Sequence, residues 1–164
     1  MHLEKFIARR RIVEIQGADL TAALREMLEV TTESFPDLNK EQILKALLHR
    51  ENTMTTYLGF GVALPHVRIK MKRRYVLTVG RSQSGIRYDG LKEDERIHLI
   101  ILLIAGERAR HYLRVLAGVA RLVKDKEFVE GLISAPSLEE VNRRLYAGFG
   151  GILEKTAPLQ QNRV

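Results

Sequence analysis

His66 has the richest chemical setting in the chain. It closes the run LGFGVALPHV, in which two glycines and the short apolar stretch Val62-Ala63-Leu64 precede Pro65. Proline cannot donate to a sheet ladder, so the strand stops there and the imidazole is expected just beyond a rigid strand end. Neutral imidazole has a pKa of about 6.5 and is a good nucleophile when a backbone acceptor fixes its other nitrogen. Such a group can accept a phosphoryl group. The transfer passes through a loose transition state with charge spread over equatorial oxygens, so it needs positioned donors and positive charge more than covalent machinery. Arg50, His111 and the amides of the glycine-bearing loop are the candidates, with Thr56, Gly59 and Gly61 as phosphate-loop residues. Of the five histidines, His2, His49 and His98 read as surface or helix-end residues without a chemical role.

These side chains need elements to hold them. Ile12 to Ile15 reads as a strand, and Asp19 as the N-cap of a helix carrying Leu20, Ala23, Leu24, Met27 and Leu28. Phe35-Pro36-Asp37 marks a turn. Asn39 and Gln42 have capping-box spacing before a helix expected to end near Glu51 or Asn52. Tyr75 to Val79 is strand-like, Ser82 to Gly90 reads as a turn region, and the unbroken apolar run Ile97 to Ala105 predicts a central strand buried on both faces. From Glu107 the period becomes helical, with Tyr112, Val115, Leu116, Val119 and Val123 on one stripe. A short helix near Glu127 to Ile133 follows. Ser137 and Glu140 then begin a last helix, with Gly148-Phe149-Gly150-Gly151 as its stop. The order predicts an α/β fold, a three-layer α/β/α sandwich around a mixed sheet. Residues 1–150 form one domain in this reading, with 151–164 as a flexible tail.

Composition supports one packed domain: 164 residues, 45% apolar, with four prolines. No cysteine is present, which excludes disulfides and thiolate metal sites and makes the cytoplasm the simplest location. The N-terminus lacks the apolar stretch of a signal peptide, and the Ile97–Ala105 run is too short to span a bilayer. A formal charge of +7 comes partly from Arg9-Arg10-Arg11 and from the segment Arg68 to Arg74, which calls for an anionic partner without naming it.

The stretch LLHRENTMTTYLGFGVALPH resembles the signature of phosphotransferase-system enzyme IIA domains of the fructose, mannitol and nitrogen-regulatory class, an Arg-Glu pair, a threonine, glycines and a Pro-His ending. The later block IAGERARHYLRVLAGVARLVKDKEFVEGLISAPSLEEV looks like the second block of that family, and the resemblance runs roughly from Ile7 to Tyr146. It implies the family fold and a phosphohistidine carrier. His66 would take the phosphoryl group, His111 would lie beside it and help bind it, Arg50 would stabilise it or order the site, and Glu51 would order the arginine region. The implied donor is a histidine phosphocarrier protein. The implied receiver is an enzyme IIB or a regulatory target, and no cofactor or metal is expected.

Subtype features are mixed. Thr56-Tyr57-Leu58-Gly59 is like the mannitol members, whereas Tyr88-Asp89-Gly90 is like the fructose and nitrogen-regulatory ones. Phe60 replaces a polar residue of many relatives, and Gly106 replaces a frequent proline. With no IIB-like segment in the chain, and with a basic run directly after His66, a regulatory role is favoured over dedicated fructose or mannitol uptake. Three other readings have less support. A nucleic-acid module would use Arg68, Lys70, Lys72, Arg73 and Arg74 beside Tyr75, but no recognition motif accompanies them, and such a run is more often a solvated strand face. A metal hydrolase built on His66, His98, His111 and Glu51 lacks any HExxH or compact ligand cluster. A degenerate interaction module would usually have lost one of His66, His111 and Arg50.

Overall fold

A computed structural model describes residues 2–89 and 91–150 of the chain. The expected tail, 151–164, lies outside the described residues, as does Gly90.

The sheet is organised by β6 (Ile97–Ala105), in which only His98 escapes full burial. Its side chains alternate between two cores, as a strand's period of two requires. Leu99, Ile101 and Leu103 enter one core, while Ile100, Leu102 and Ile104 enter the other. A strand covered on both faces needs no polar alternation, which is why the sequence shows an unbroken apolar run. Each fully buried leucine or isoleucine side chain contributes about 1.5–3 kcal/mol.

On one side of β6 runs β5 (Tyr75–Ile86), antiparallel, with β1 (Ile12–Glu14) parallel beyond it. The other side carries β3 (Val62–Ala63) and β4 (His66–Arg68) in tandem, both parallel to β6, with β2 (Tyr57–Gly59) antiparallel to β3. The sheet is mixed, as expected. Helices α1 (Leu20–Ser34) and α2 (Lys40–Thr53) cover one face. Helices α3 (Tyr112–Leu122), α4 (Lys126–Ser134) and α5 (Leu138–Gly150) cover the other, together with a 3-10 turn at Leu3–Phe6. Among the described residues no helix is long and apolar enough to cross a membrane.

The caps follow the sequence, with the amides of Ala22, Gln42 and Glu140 donating to Asp19, Asn39 and Ser137. Glu140 does not reach back to complete its box, because Arg143 and Arg144 hold its carboxylate and bring it down to about 2. Several boundaries differ from expectation. Strand β5 continues beyond Val79 through the segment read as a turn: Gly85, at φ 87°, makes a bulge that keeps the chain on β6 and buries Ile86 opposite Ile97. Helix α2 runs on to Thr53, and α3 starts at Tyr112 rather than Glu107 because residues 106–110 turn back on themselves, Ala109 donating to the Gly106 carbonyl. Gly148 does not stop α5; a Cβ there would stand 2.5 Å from the Phe128 ring, so this glycine serves helix contact.

The arginine cluster at 9–11 is also not a free anionic-partner site. Arg11 is buried and donates to the carbonyls of Leu77 (2.9 Å) and Phe6 (2.8 Å), and Arg9 pairs with Glu139 at 2.9 Å. Arg81, 3% exposed, ties the two halves of the fold: it pairs with Glu14 on β1 and donates to the carbonyls of Leu132 (3.0 Å) and Ala135 (2.7 Å) at the end of α4.

Candidate functional site

The gap between β3 and β4 creates the setting of His66. The Pro65 carbonyl still accepts from the Leu103 amide at 3.0 Å, but Pro65 has no N–H, and the Leu64 carbonyl turns to the His66 ring. His66 Nδ1 lies 2.8 Å from the Leu64 oxygen. A carbonyl only accepts, so Nδ1 carries the proton and Nε2 carries the lone pair. The imidazole is half-buried, and Nε2 has no protein partner among the described residues. His66 therefore follows a strand end, as expected, and also opens the next strand, which pairs with Leu103–Ala105 and fixes its backbone.

Glu51 supports this arrangement from behind. Its carboxylate accepts from the Thr56 amide (3.0 Å), the Thr56 hydroxyl (2.6 Å), the Thr55 hydroxyl (3.1 Å) and the Tyr88 hydroxyl. Partial burial pushes the carboxyl upward, but the donors on Thr56, Tyr88 and Thr55 outweigh it and hold the group below its ordinary range. The Thr56 carbonyl in turn accepts from the Leu64 amide at 3.0 Å. A continuous relay thus runs from Glu51 through Thr56 and Leu64 to the His66 ring.

Tyr112, the first residue of α3, gathers the positive groups. Its ring centroid is 6.2 Å from that of His66, and the Arg68 guanidinium sits 5.8 Å from the Tyr112 centroid. Burial pushes the Tyr112 phenol up, with Arg50 and Arg68 offsetting part of the effect, so the hydroxyl stays a neutral donor at neutral pH. Arg50 is half-buried and folds back to donate to the Met54 carbonyl at 3.1 Å, closing the end of α2. Arg68 donates to the Glu107 carbonyl at 3.1 Å. His111 is the exposed N-cap residue of α3, next in chain to Tyr112, and its side chain makes no cap. His66 and His111 share no hydrogen bond among the described residues.

The glycine loop is a two-residue hairpin turn between β2 and β3. Phe60 (φ 54°) and Gly61 (φ 76°) both lie in the left-handed region, the pattern of a type I′ turn, and Gly59 (φ 92°) precedes them. The Thr56 amide and hydroxyl are taken by Glu51, and the Gly61 amide donates to the Tyr57 hydroxyl at 3.1 Å. Two of the three phosphate-loop candidates therefore spend these donors inside the protein, Thr56 on α2 and Gly61 within the hairpin. The turn displays Leu58 and Phe60, which with Met54 and Leu113 are the exposed apolar side chains of this region. His98 is not a surface or helix-end residue: it lies on β6 and its Nδ1 donates to the Ser82 carbonyl of β5 at 2.9 Å, a structural position.

Sequence reasoning missed Tyr112, Tyr88 and the individual part played by Arg68. Tyr112 was visible only as a member of the apolar stripe of α3, and Tyr88 only as a subtype marker. The basic run 68–74 is a strand end followed by a loop, not a strand face. Arg73 in it pairs with Asp37 at 2.7 Å and lies over Phe35. Among the described residues no three His, Asp or Glu side chains converge as a metal site.

The family profile described as "Phosphoenolpyruvate-dependent sugar phosphotransferase system, EIIA 2" matches residues 7–147. The fructose-specific EIIA component of Haloferax volcanii is 25% identical over 79% of this chain and 84% of its own length. Among solved structures, the nitrogen regulatory protein IIA-Ntr of Neisseria meningitidis aligns with a TM-score of 0.76 at 25% identity, covering 87% of this chain and 98% of that one. The mannitol IIA of Escherichia coli aligns with a TM-score of 0.67 at 26% identity, covering 85% and 98%. The fold is thus that of a phosphotransferase-system IIA domain. The chain belongs to the EIIA 2 family of the phosphoenolpyruvate-dependent phosphotransferase system, a family of phosphoryl carriers with fructose, mannitol and nitrogen-regulatory relatives.

Proposed function

We propose that this chain accepts a phosphoryl group on His66 Nε2 from a histidine phosphocarrier protein in the cytoplasm and passes it to a protein receiver. The observation that carries the reading is the 2.8 Å bond from Nδ1 to the Leu64 carbonyl, which commits the proton to one nitrogen and the lone pair to the other. The Nε2 lone pair forms the new N–P bond as the P–N bond to the donor imidazole breaks, and the electron pair leaves with that imidazole. Arg50 and His111, as expected, and Tyr112 and Arg68, in addition, supply charge and donors to the equatorial oxygens. Glu51 and Thr56 position the nucleophile rather than touch the phosphoryl group. Gly59 and Gly61 shape the turn that leads to it.

Between an enzyme IIB and a regulatory target as receiver, we favour the regulatory type. About two negative charges added at His66 would fall close to Arg68 and the basic segment after it, changing the field that a partner meets. Transport needs no such switch. The carrier assignment is tested by incubating the protein with enzyme I, the phosphocarrier protein and labelled phosphoenolpyruvate. An acid-labile, alkali-stable label is expected, absent from a folded His66→Ala variant; full labelling of that variant refutes the assignment. Pull-downs with wild type and His66→Ala address the receiver. Recovery of phosphotransferase proteins alone, with loss of growth on one sugar in a deletion strain, overturns the regulatory reading.

A further inference from the structure

Beside the His66 site, sharing His111 with it but not His66 itself, is an open cavity of about 820 Å³ between the start of β5 and the turn before α3. Four cations, Lys72, Arg74, Arg108 and Arg110, face it against one carboxylate, Glu107. None of the four takes part in an ion pair among the described residues. Four like charges repel one another, and among the lining residues only the Glu107 carboxylate offsets them.

A second observation points into the same place. Tyr75 belongs to the wall, is 3% exposed, and its hydroxyl is a buried polar atom without a hydrogen-bond partner. Burial pushes the phenol up, outweighing the His111 amide and the charges of Arg68 and Arg74 that pull it down, so it remains a protonated donor, with no acceptor among the described residues. A buried hydroxyl without an acceptor is unfavourable, and an anionic acceptor would satisfy it. The third wall feature is His111 itself, exposed and uncapping, at the amide end of the 11-residue α3.

We propose that this cavity binds a small polyphosphate, a chain of two or more phosphates either inorganic or borne by a nucleoside. Phosphate oxygens would be clamped by Arg74, Arg108 and Arg110, with Lys72 as a further point charge. One oxygen accepts from the Tyr75 hydroxyl in the wall. The volume is that of an ordinary small-ligand pocket. A single nucleic-acid strand is disfavoured by the same features: its bases need an exposed aromatic platform, and the aromatic ring here is buried.

The test is calorimetric titration of the unphosphorylated full chain with inorganic tripolyphosphate, with ATP, and with orthophosphate at matched ionic strength. One-to-one binding of tripolyphosphate or ATP at least tenfold tighter than orthophosphate is expected. Affinities within a few-fold of each other assign the site to the phosphate chain alone, and ATP tighter by tenfold assigns it to a nucleotide. Arg74→Ala with Arg110→Ala should weaken binding more than tenfold. Tyr75→Phe should weaken it about three- to tenfold while leaving the melting temperature of the free protein unchanged or higher, an outcome that a merely structural hydroxyl would not give. His66→Ala should bind as wild type does, which separates this proposal from the carrier assignment. Tripolyphosphate and ATP binding no tighter than orthophosphate, affinity indifferent to the double arginine variant, or a single-stranded oligonucleotide displacing ATP at equal phosphate concentration would each overturn it.

Discussion

Replacing Glu51 by alanine tests the relay that positions His66. The carboxylate is the recorded acceptor for the amide and hydroxyl of Thr56, a residue only 5% exposed, and it also holds Thr55 and Tyr88. Removing it strands two donors at about 1–3 kcal/mol each, while the more exposed Thr55 hydroxyl turns to water at little cost. A loss of about 3 kcal/mol is expected for Glu51→Ala, a fall in melting temperature of about 6–12 °C for a chain of this size. Glu51→Gln, which keeps the volume and one acceptor oxygen, should lose about half as much. The carboxyl is held below its ordinary value in the fold, so its extra stabilisation is complete above the unfolded-state value of about 4.3 and is lost as pH falls through the lower folded value. Urea melts of wild type and variants at pH 7 and at pH 3 measure both effects, and the gap should narrow at the lower pH. Phosphoryl acceptance should slow in the folded variant, because Thr56 no longer steadies Leu64 and, through it, the imidazole. A stability loss under about 1 kcal/mol at pH 7, or an acceptance rate equal to wild type, would refute the relay.

Three further outcomes are expected. His111→Ala should slow phosphoryl transfer by about one to two orders of magnitude without abolishing the label, and Arg50→Ala should act in the same direction, as single-turnover rates will show once melting curves have corrected for any lost stability. Arg81→Ala should cost about 3 kcal/mol in urea melts, since it leaves Glu14 and the carbonyls of Leu132 and Ala135 without their donor; Arg81→Lys should not restore it, because one ammonium cannot span the same fork. Gly106→Pro should destabilise by about 3 kcal/mol or more by the same measurement: the Gly106 amide donates to the Arg74 carbonyl at 2.9 Å, and a Cβ there would stand 2.0 Å from the Arg73 carbonyl. That geometry leaves room for glycine alone at this position.

Local chemistry made a large part of this protein readable in its residues alone. The apolar run Ile97–Ala105, interrupted only by His98, resembles a strand covered on both faces, and β6 is that strand, with helices packed on each side. Asp19, Asn39 and Ser137 announced their helices because an N-cap is decided within four residues of chain. The Gly-rich approach to Pro65-His66 likewise announced a held imidazole. What adjacency in the chain could not supply was the company that imidazole keeps. Tyr112 looked like one more member of an apolar stripe, and its place beside His66, under Arg68 and near Arg50, arises only when the fold brings the start of α3 to β4. Glu51 and Tyr88 meet across 37 positions of sequence. The arginines show the difference most plainly: equal charges in a string, they become in the fold a buried tie to backbone carbonyls at Arg11, a link between sheet and helix at Arg81, and a wall at Arg74 and Arg110 without ion pairs among the described residues. Charge is a property of the residue, but whether it is spent inside the molecule or left facing outward is decided by which carbonyls and carboxylates the folded chain brings within reach.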